Sequence, residues 1–411
     1  MMVSLINFGI LIALKYCNFI FLNINSICNV FNINFNIPFK NVVLPLGISY
    51  YTLQAVSYVV DVYRGKYKAD KNFFRVALFV SFFPHIVEGP IGKYDLIADD
   101  IYNSHKFNYK NFTYSIQLIL WGYFKKMVIA DRAGLFVSTI FDNYTTYGGV
   151  IIIASIMLYT LQLYSEFSGC IDIVRGVAGL FGITLSENFK RPFFSKTVQE
   201  FWQRWHITLG VWLKEYVFYP ISFSKLTVKI TGAFKKIVKN NYITKILPSV
   251  ISMFFVWLVM GIWHGASWNF ILWGLYFGTI LVIEKRFFLK FFEKHKIIGN
   301  MVTNILVVIG FVFFYNEKNI LDIFIKMFTG KGISFTNVST NYYLLNYLVL
   351  LIISFIACTP LLKNIINKCK KNKNLNIVIS IVEPIVLIGL LVLSTAFIVD
   401  ASSNSFLYFR F

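Results

Sequence analysis

Blocks of roughly 17–25 apolar residues recur along this chain, separated by short polar stretches. That is the length of helix needed to cross the hydrocarbon core of a bilayer. Lipid offers no partner to an open backbone group, so such blocks fold as helices that satisfy their own N–H and C=O groups. The composition agrees: 57% of residues are hydrophobic, 18% aromatic and 14% charged, against about 45–50% apolar and 25% charged in soluble domains. The expected spans run over roughly 3–22, 42–62, 74–92, 113–130, 149–183 in two pieces, 199–221, 250–284 in two pieces, 300–316, 342–362 and 375–399. The chain is therefore expected to be all-α and polytopic, with about 10–12 membrane helices and half-helices. No repeat period appears, and the polar connections near 222–248 and 317–341 are too short to fold alone. One membrane domain over 1–411 is expected. The stretch Ile6–Leu22 lacks a charged segment before it and a small-residue cleavage site after it, so it reads as a retained helix.

The formal net charge of +20 would suggest nucleic acid in a soluble protein. Here the cations gather between the apolar blocks, at Lys66–Lys71, Lys225–Lys245, Lys285–Lys296 and Lys363–Lys373. That is the pattern of cytosolic loops beside anionic lipid, and it argues against a nucleic-acid partner. The five cysteines, Cys17, Cys28, Cys170, Cys358 and Cys369, form no CxxC pair and have no metal-ligand spacing with histidine. No metal site is expected.

Two stretches depart from ordinary spans. In Phe82–Tyr94, Pro84, Gly89, Pro90 and Gly92 interrupt an apolar run, and such breaks at membrane depth occur where protein or a cavity surrounds them. In Leu161–Pro192, Glu166 and Asp172 are embedded in apolar sequence. Ionisable groups there are costly and face a cavity or a partner.

Of the five histidines, His105 and His295 lie in charged stretches and read as solvated, and His85 in the broken segment reads as a hydrogen-bonded structural residue. His206 sits in EFWQRWHITLGVWLKEYVFYP. There Trp202, Trp205, Leu209, Trp212, Tyr216 and Tyr219 recur at helical spacing, which predicts one amphipathic helix at a membrane interface. Glu200 and Arg204, four apart, can pair. His206 falls beside the stripe, and reads equally as an anchor-helix histidine or as a functional one.

His264 is the sharper signal. It lies in VWLVMGIWHGASWNFILWGLYFG, and no other ionisable side chain of acidic, basic or imidazole type stands between Lys245 and Glu284. Basic segments flank the run on both sides, which predicts a hairpin or paired half-spans with His264 near the deepest point. Counting from Val250, it lies about 20 Å along a helix. Gly261 and Gly265 would let neighbours approach closely. A neutral imidazole at that depth can accept a proton, as a general base must; the alternative is a hydrogen-bonded core histidine. The sequence contains no GxSxG elbow, HExxH, phosphate-binding loop or GxGxxG, so serine hydrolase, zinc protease and nucleotide-driven pump are unsupported.

The stretches LPLGISYYTLQAVSYVVDVYRG, SFFPHIVEGPI, WGYFKKMVIADR, LYSEFSGCIDI, ENFKRPFFSKTVQEFWQRWHITLGVWLKEYVFYPI, MGIWHGASWNFILWGLYFG and the terminal NSFLYFRF resemble, in order, the membrane-bound O-acyltransferase family. The resemblance is to its bacterial polysaccharide branch, the alginate O-acetylation proteins. It implies a ring of membrane helices around a central catalytic tunnel, in a multi-pass protein of the bacterial cytoplasmic membrane. His264 would be the catalytic base and His206 a second essential residue. Arg204, Asp172, Glu166, Trp263, Trp268 and Asn269 would bind substrate. Glu166 stands where the family commonly has Asp. Relatives of that branch carry further helices upstream, which implies a shorter N-terminus here.

The same resemblance implies an acyl thioester as donor, acetyl-coenzyme A or an acyl carrier protein, with no bound cofactor. The acceptor would be an exported cell-surface polysaccharide or a partner protein such as an extracellular SGNH-type acetyltransferase. D-alanyl transfer to teichoic acid is the alternative within the family. A polysaccharide or lipid transporter without acyl chemistry is the alternative outside it, disfavoured by the lack of repeats and of an embedded carboxylate series.

Overall fold

The computed structural model describes residues 2–40, 43–238, 241–315, 320–329 and 334–400; the NSFLYFRF stretch lies outside the described residues. The chain begins with α1 (Met2–Lys15), α2 (Cys17–Val30), α3 (Ile48–Tyr63), α4 (Phe73–Ser81) and α5 (Tyr94–Tyr102). Next come α6 (Tyr109–Tyr123), a π-helical segment (Phe124–Ala130), α7 (Asp131–Asp142), α8 (Gly149–Leu180) and α9 (Val198–Arg204). Then follow α10 (Ile207–Leu213), a second π segment (Lys214–Phe218), α11 (Tyr219–Ser222), α12 (Lys225–Ile237), α13 (Asn241–His264) and α14 (Trp268–Ile283). After a third π segment (Glu284–Phe288) come α15 (Leu289–Lys294), α16 (Lys296–Tyr315), α17 (Ile320–Thr329), α18 (Val338–Asn346), α19 (Leu348–Cys358), α20 (Leu361–Cys369) and α21 (Lys373–Asp400). Among the described residues there is no strand beyond one isolated bridge, Phe189 with Trp205. The protein is all-α and multi-pass.

Among the described residues four helices are long and apolar enough to span a membrane alone: Gly149–Leu180, Thr244–His264, Lys296–Tyr315 and Lys373–Val399. Two bent pairs raise this to six: Leu5–Lys15 with Cys17–Val30, bent by 60°, and Val338–Asn346 with Leu348–Cys358, bent by 53°. The other apolar segments are shorter helices or helices interrupted by π segments. Helices α3 and α14 have 16 residues each, and the span expected over 113–130 carries Lys125 and Lys126 in a π segment.

The described residues divide into two compact units. The first combines residues up to Ser104 with Thr208–Arg286. In it α1 packs on α3, and α13 packs on α14, α12 and α11. The second combines His105–Ile207 with the chain from Phe287 onward. There α8 is the hub, packed by α6, α7, α16, α17 and α19. Along α21, Ile381, Ile385, Ile388 and Val392 are exposed. That face suits lipid.

Four expectations change. In the segment 149–183, Gly149–Leu180 is one 32-residue helix, and its embedded acids meet lysines of the neighbouring π segment. The striped segment 199–221 is broken at Trp205–His206. Trp202 and Trp205 therefore belong to the second unit, whereas Leu209, Trp212, Tyr216 and Tyr219 belong to the first. The expected span 74–92 is helical only over Phe73–Ser81, since Pro84 and the glycines follow. Within the connection 222–248, Lys225–Ile237 form α12, with Lys225, Lys229 and Lys236 on one side and Leu226, Ile230, Phe234 and Ile237 on another, and α13 already begins at Asn241.

Candidate active site

In the first unit the apolar run around His264 forms the expected hairpin. Helix α13 ends on His264, residues 265–267 turn, and α14 starts at Trp268. Lys285 Nζ, just beyond α14, donates to Ser249 Oγ in the first half of α13 at 3.2 Å, so the two basic ends of the hairpin lie together. The helices cross at very close range. A Cβ on Gly261 would lie 2.4 Å from the carbonyl oxygen of Phe270, and one on Gly274 would lie 2.3 Å from that of Trp257. Gly265 likewise leaves room for the Phe270 ring. Close approach of this kind needs small residues.

The His264 imidazole is buried in an aromatic box. Trp263 lies 5.0 Å away, Trp273 5.1 Å away at 85°, and Phe270 6.4 Å away at 29°. Trp263 is itself fixed by an edge contact with Tyr50 at 5.4 Å and by its Nε1 donating to Ser49 O at 3.4 Å. Aromatic walls fix the plane of an imidazole. Asn269 is buried in the first turn of α14. Trp268 turns toward α2 instead, where its Nε1 donates to Asn23 Oδ1 at 2.8 Å and its ring meets Phe19.

Elsewhere in this unit His85 is buried with Nε2 3.1 Å from Phe79 O, the structural role expected for it. His105 and His295, both in the second unit, are exposed.

In the second unit His206 stands at a strained turn. Its φ is +47°, a left-handed value that costs a non-glycine residue of order 1–3 kcal/mol and persists only when the surroundings enforce it. The enforcement is visible. Thr197 Oγ1 accepts from Glu200 N, and Glu200 Oε2 accepts from Lys196 N, so a capping arrangement fixes the start of α9. At its end Lys190 N donates to Arg204 O at 2.9 Å and Ile207 N to Asn188 O at 3.1 Å. Trp205 is wedged among Phe189, Phe201 and Phe311. The buried His206 ring meets Phe167 of α8 at 4.7 Å and 89°.

The remaining expected site residues in this unit are engaged in ion pairs. Arg204 pairs with Glu200, as their spacing predicted. Asp172 accepts from Lys125 Nζ at 2.7 Å, and Ser168 Oγ accepts from the same ammonium at 2.9 Å. Glu166 lies 3.2 Å from Lys126 Nζ, which also pairs with Asp131. The two adjacent lysines occupy the π segment Phe124–Ala130; π segments are frequent at functional sites. Sequence reasoning passed over Lys125 and Lys126. The available signal was two cations inside an apolar run, paralleling two acids inside another.

His264, Trp263, Trp268 and Asn269 thus share the first unit, and His206, Arg204, Asp172 and Glu166 the second.

The family model of membrane-bound O-acyltransferases matches residues 68–233. A Pseudomonas putida protein named "Probable alginate O-acetylase AlgI" is 32% identical over 318 residues, covering 76% of this chain and 60% of its own length. The peptidoglycan O-acetyltransferase of Helicobacter pylori is 31% identical over 344 residues, covering 74% of this chain and 62% of its own. The teichoic acid D-alanyltransferase of Bacillus subtilis is 31% identical over 279 residues, covering 66% of this chain and 67% of its own. The chain spans about 60% of the length of the curated relatives it matches. With helices, hairpin and both WH motifs in place, the chain belongs to the membrane-bound O-acyltransferase family.

Proposed function

We propose that this protein is a membrane O-acyltransferase that moves an acetyl group from a cytosolic thioester to a hydroxyl of an exported cell-surface polysaccharide. The observation that carries the reading is His264, a buried imidazole held in an aromatic box at the tip of an apolar hairpin. A proton acceptor so placed suits reaction across a membrane. The acceptor oxygen attacks the thioester carbonyl as His264 takes its proton. A tetrahedral oxyanion forms, the C–S bond breaks, and the proton passes to the departing thiolate. The products are an O-ester and a free thiol. Trp263 and Asn269 flank the reacting groups. His206 serves the donor side, with Arg204, Asp172 and Glu166 acting through the ion pairs that hold its surroundings. The donor is acetyl-coenzyme A or an acyl carrier protein. An extracellular SGNH-type enzyme is the natural second partner, and the bacterial cytoplasmic membrane the site of action, with 1–411 working as one domain.

His264→Ala should insert normally and transfer no radiolabelled acetyl group in membrane vesicles. Full acetylation by that variant would sink the assignment. A second reading, D-alanyl transfer to teichoic acid, is favoured by the 67% of the Bacillus subtilis enzyme that this chain covers. Mild alkaline release of ester-linked groups from producing cells separates the two: acetate supports the first reading, D-alanine the second.

A further inference from the structure

Helix α13 ends on His264, and the last four carbonyls of a helix have no partner within it. In water they hydrate; at membrane depth each must be met by protein. The corner between α1 and α2 meets three of them. Tyr16 Oη donates to Ile262 O at 2.6 Å. Lys15 Nζ donates to Trp263 O at 2.8 Å and to His264 O at 3.3 Å. The third ammonium proton goes to Ser49 Oγ at 3.3 Å, on the helix whose carbonyl at the same residue receives the Trp263 indole. An ammonium has three protons, and these contacts use all of them.

The corner is also packed in place. The Tyr16 side chain forms a buried cluster with Leu11 and Ile48, and Ala266 of the hairpin turn packs against it. The bend of 60° between α1 and α2 is what brings Lys15 and Tyr16, adjacent in sequence, to the same helix end. A cation at a helix C-terminus also complements the negative end of the helix dipole.

We propose that Lys15, assisted by Tyr16, is a positioning residue for His264: it locks the carbonyls of Trp263 and His264, and thereby the orientation of the imidazole. The proposal rests on His264 as the proton acceptor of the reading above. Lys15 donates all its protons to fixed acceptors, so it acts on geometry and not on substrate. Geometry enters kcat: misplacing a reacting group by about 1 Å costs on the order of 100-fold.

The test measures kcat and the donor KM with radiolabelled acetyl-coenzyme A in membrane vesicles, beside insertion and thermal stability, for Lys15→Met, Lys15→Arg and Tyr16→Phe. Lys15→Met keeps the length of the side chain without its donors. Its kcat should fall about 10- to 100-fold with KM within about threefold of the parent. Lys15→Arg keeps charge and donors and should retain most of kcat. Tyr16→Phe removes one donor and should fall about three- to tenfold. A kcat for Lys15→Met equal to the parent, beside an inactive His264→Ala, overturns this proposal and leaves the acyltransferase reading standing. Loss through KM alone, or no rescue by arginine, also overturns it. Activity surviving in His264→Ala removes both. If Lys15→Met fails to insert, Tyr16→Phe decides, and an unchanged kcat there is fatal.

Discussion

Gly261 faces the carbonyl of Phe270 so closely that a methyl group on its Cα would sit 2.4 Å from that oxygen. The hairpin that carries His264 therefore has backbone-to-backbone contact at its glycines, beside ring contacts such as Trp257 with Trp273 and Phe277. Alanine normally favours a helix over glycine by about 1 kcal/mol. Here the clash is with backbone, which cannot rotate away, so the sign reverses.

Gly261→Ala should destabilise the protein by about 1–3 kcal/mol and lower activity by spreading the hairpin. Thermal unfolding in detergent measures the first and acetyl transfer the second. A more stable Gly261→Ala protein would show that the helices stand further apart.

At His206 the prediction concerns two replacements that both remove the imidazole. The φ of +47° is available to glycine without steric cost and penalises alanine. His206→Gly should therefore be more stable than His206→Ala by about 1 kcal/mol, the reverse of their usual order in a helix. Both should be equally inactive if the side chain matters for transfer. Equal melting points for the two would show that the turn is relaxed.

How far each feature could be read from the sequence follows from the range of the forces that build it. The hairpin was legible because a charge-free apolar run, two glycines and one histidine are local facts. The break at His206 was not, since RWHIT has no glycine, asparagine or proline to announce it. It is imposed from 16 to 18 residues upstream, by Asn188 and Lys190 pairing with Ile207 and Arg204. The aromatic stripe pointed to one helix because spacing alone cannot register such a clamp. Lys15 was still less visible, as its carbonyl acceptors lie 248 and 249 residues away. Glu166 and Asp172 were recognised as needing partners, but sequence could not say that Lys126 and Lys125 would supply them.

That pairing yields a third prediction. Lys125 and Asp172 form a largely buried ion pair, with side chains 5% and 18% exposed. Lys125→Met leaves the Asp172 charge beside Arg175 at 3.9 Å and should cost about 3 kcal/mol, the lower end of the range for breaking a buried pair because Asp172 is partly exposed. Adding Asp172→Asn removes the stranded charge and should recover part of the loss. A double variant as unstable as the sum of the singles would show that the pair is not coupled.

The last prediction is the orientation of the chain, on which the roles of the two histidines depend. Hairpin geometry puts the start of α13 and the end of α14 at one end, joined by the Lys285–Ser249 hydrogen bond. The helices entering and leaving that end are both basic: Lys225, Lys229, Lys235 and Lys236 lie on α12, and Lys290 and Lys294 on α15. Short segments rich in lysine stay on the cytosolic side, so both should be cytosolic, with His264 deeper in the membrane at the other end of α13. In a background with the five native cysteines replaced, Lys235→Cys and Lys290→Cys should each resist a membrane-impermeant thiol reagent in intact cells. Both should react once the cytosolic face is opened. Labelling of either in intact cells would turn the hairpin over, place His264 toward the cytosol, and exchange the substrates that the two histidines are proposed to meet.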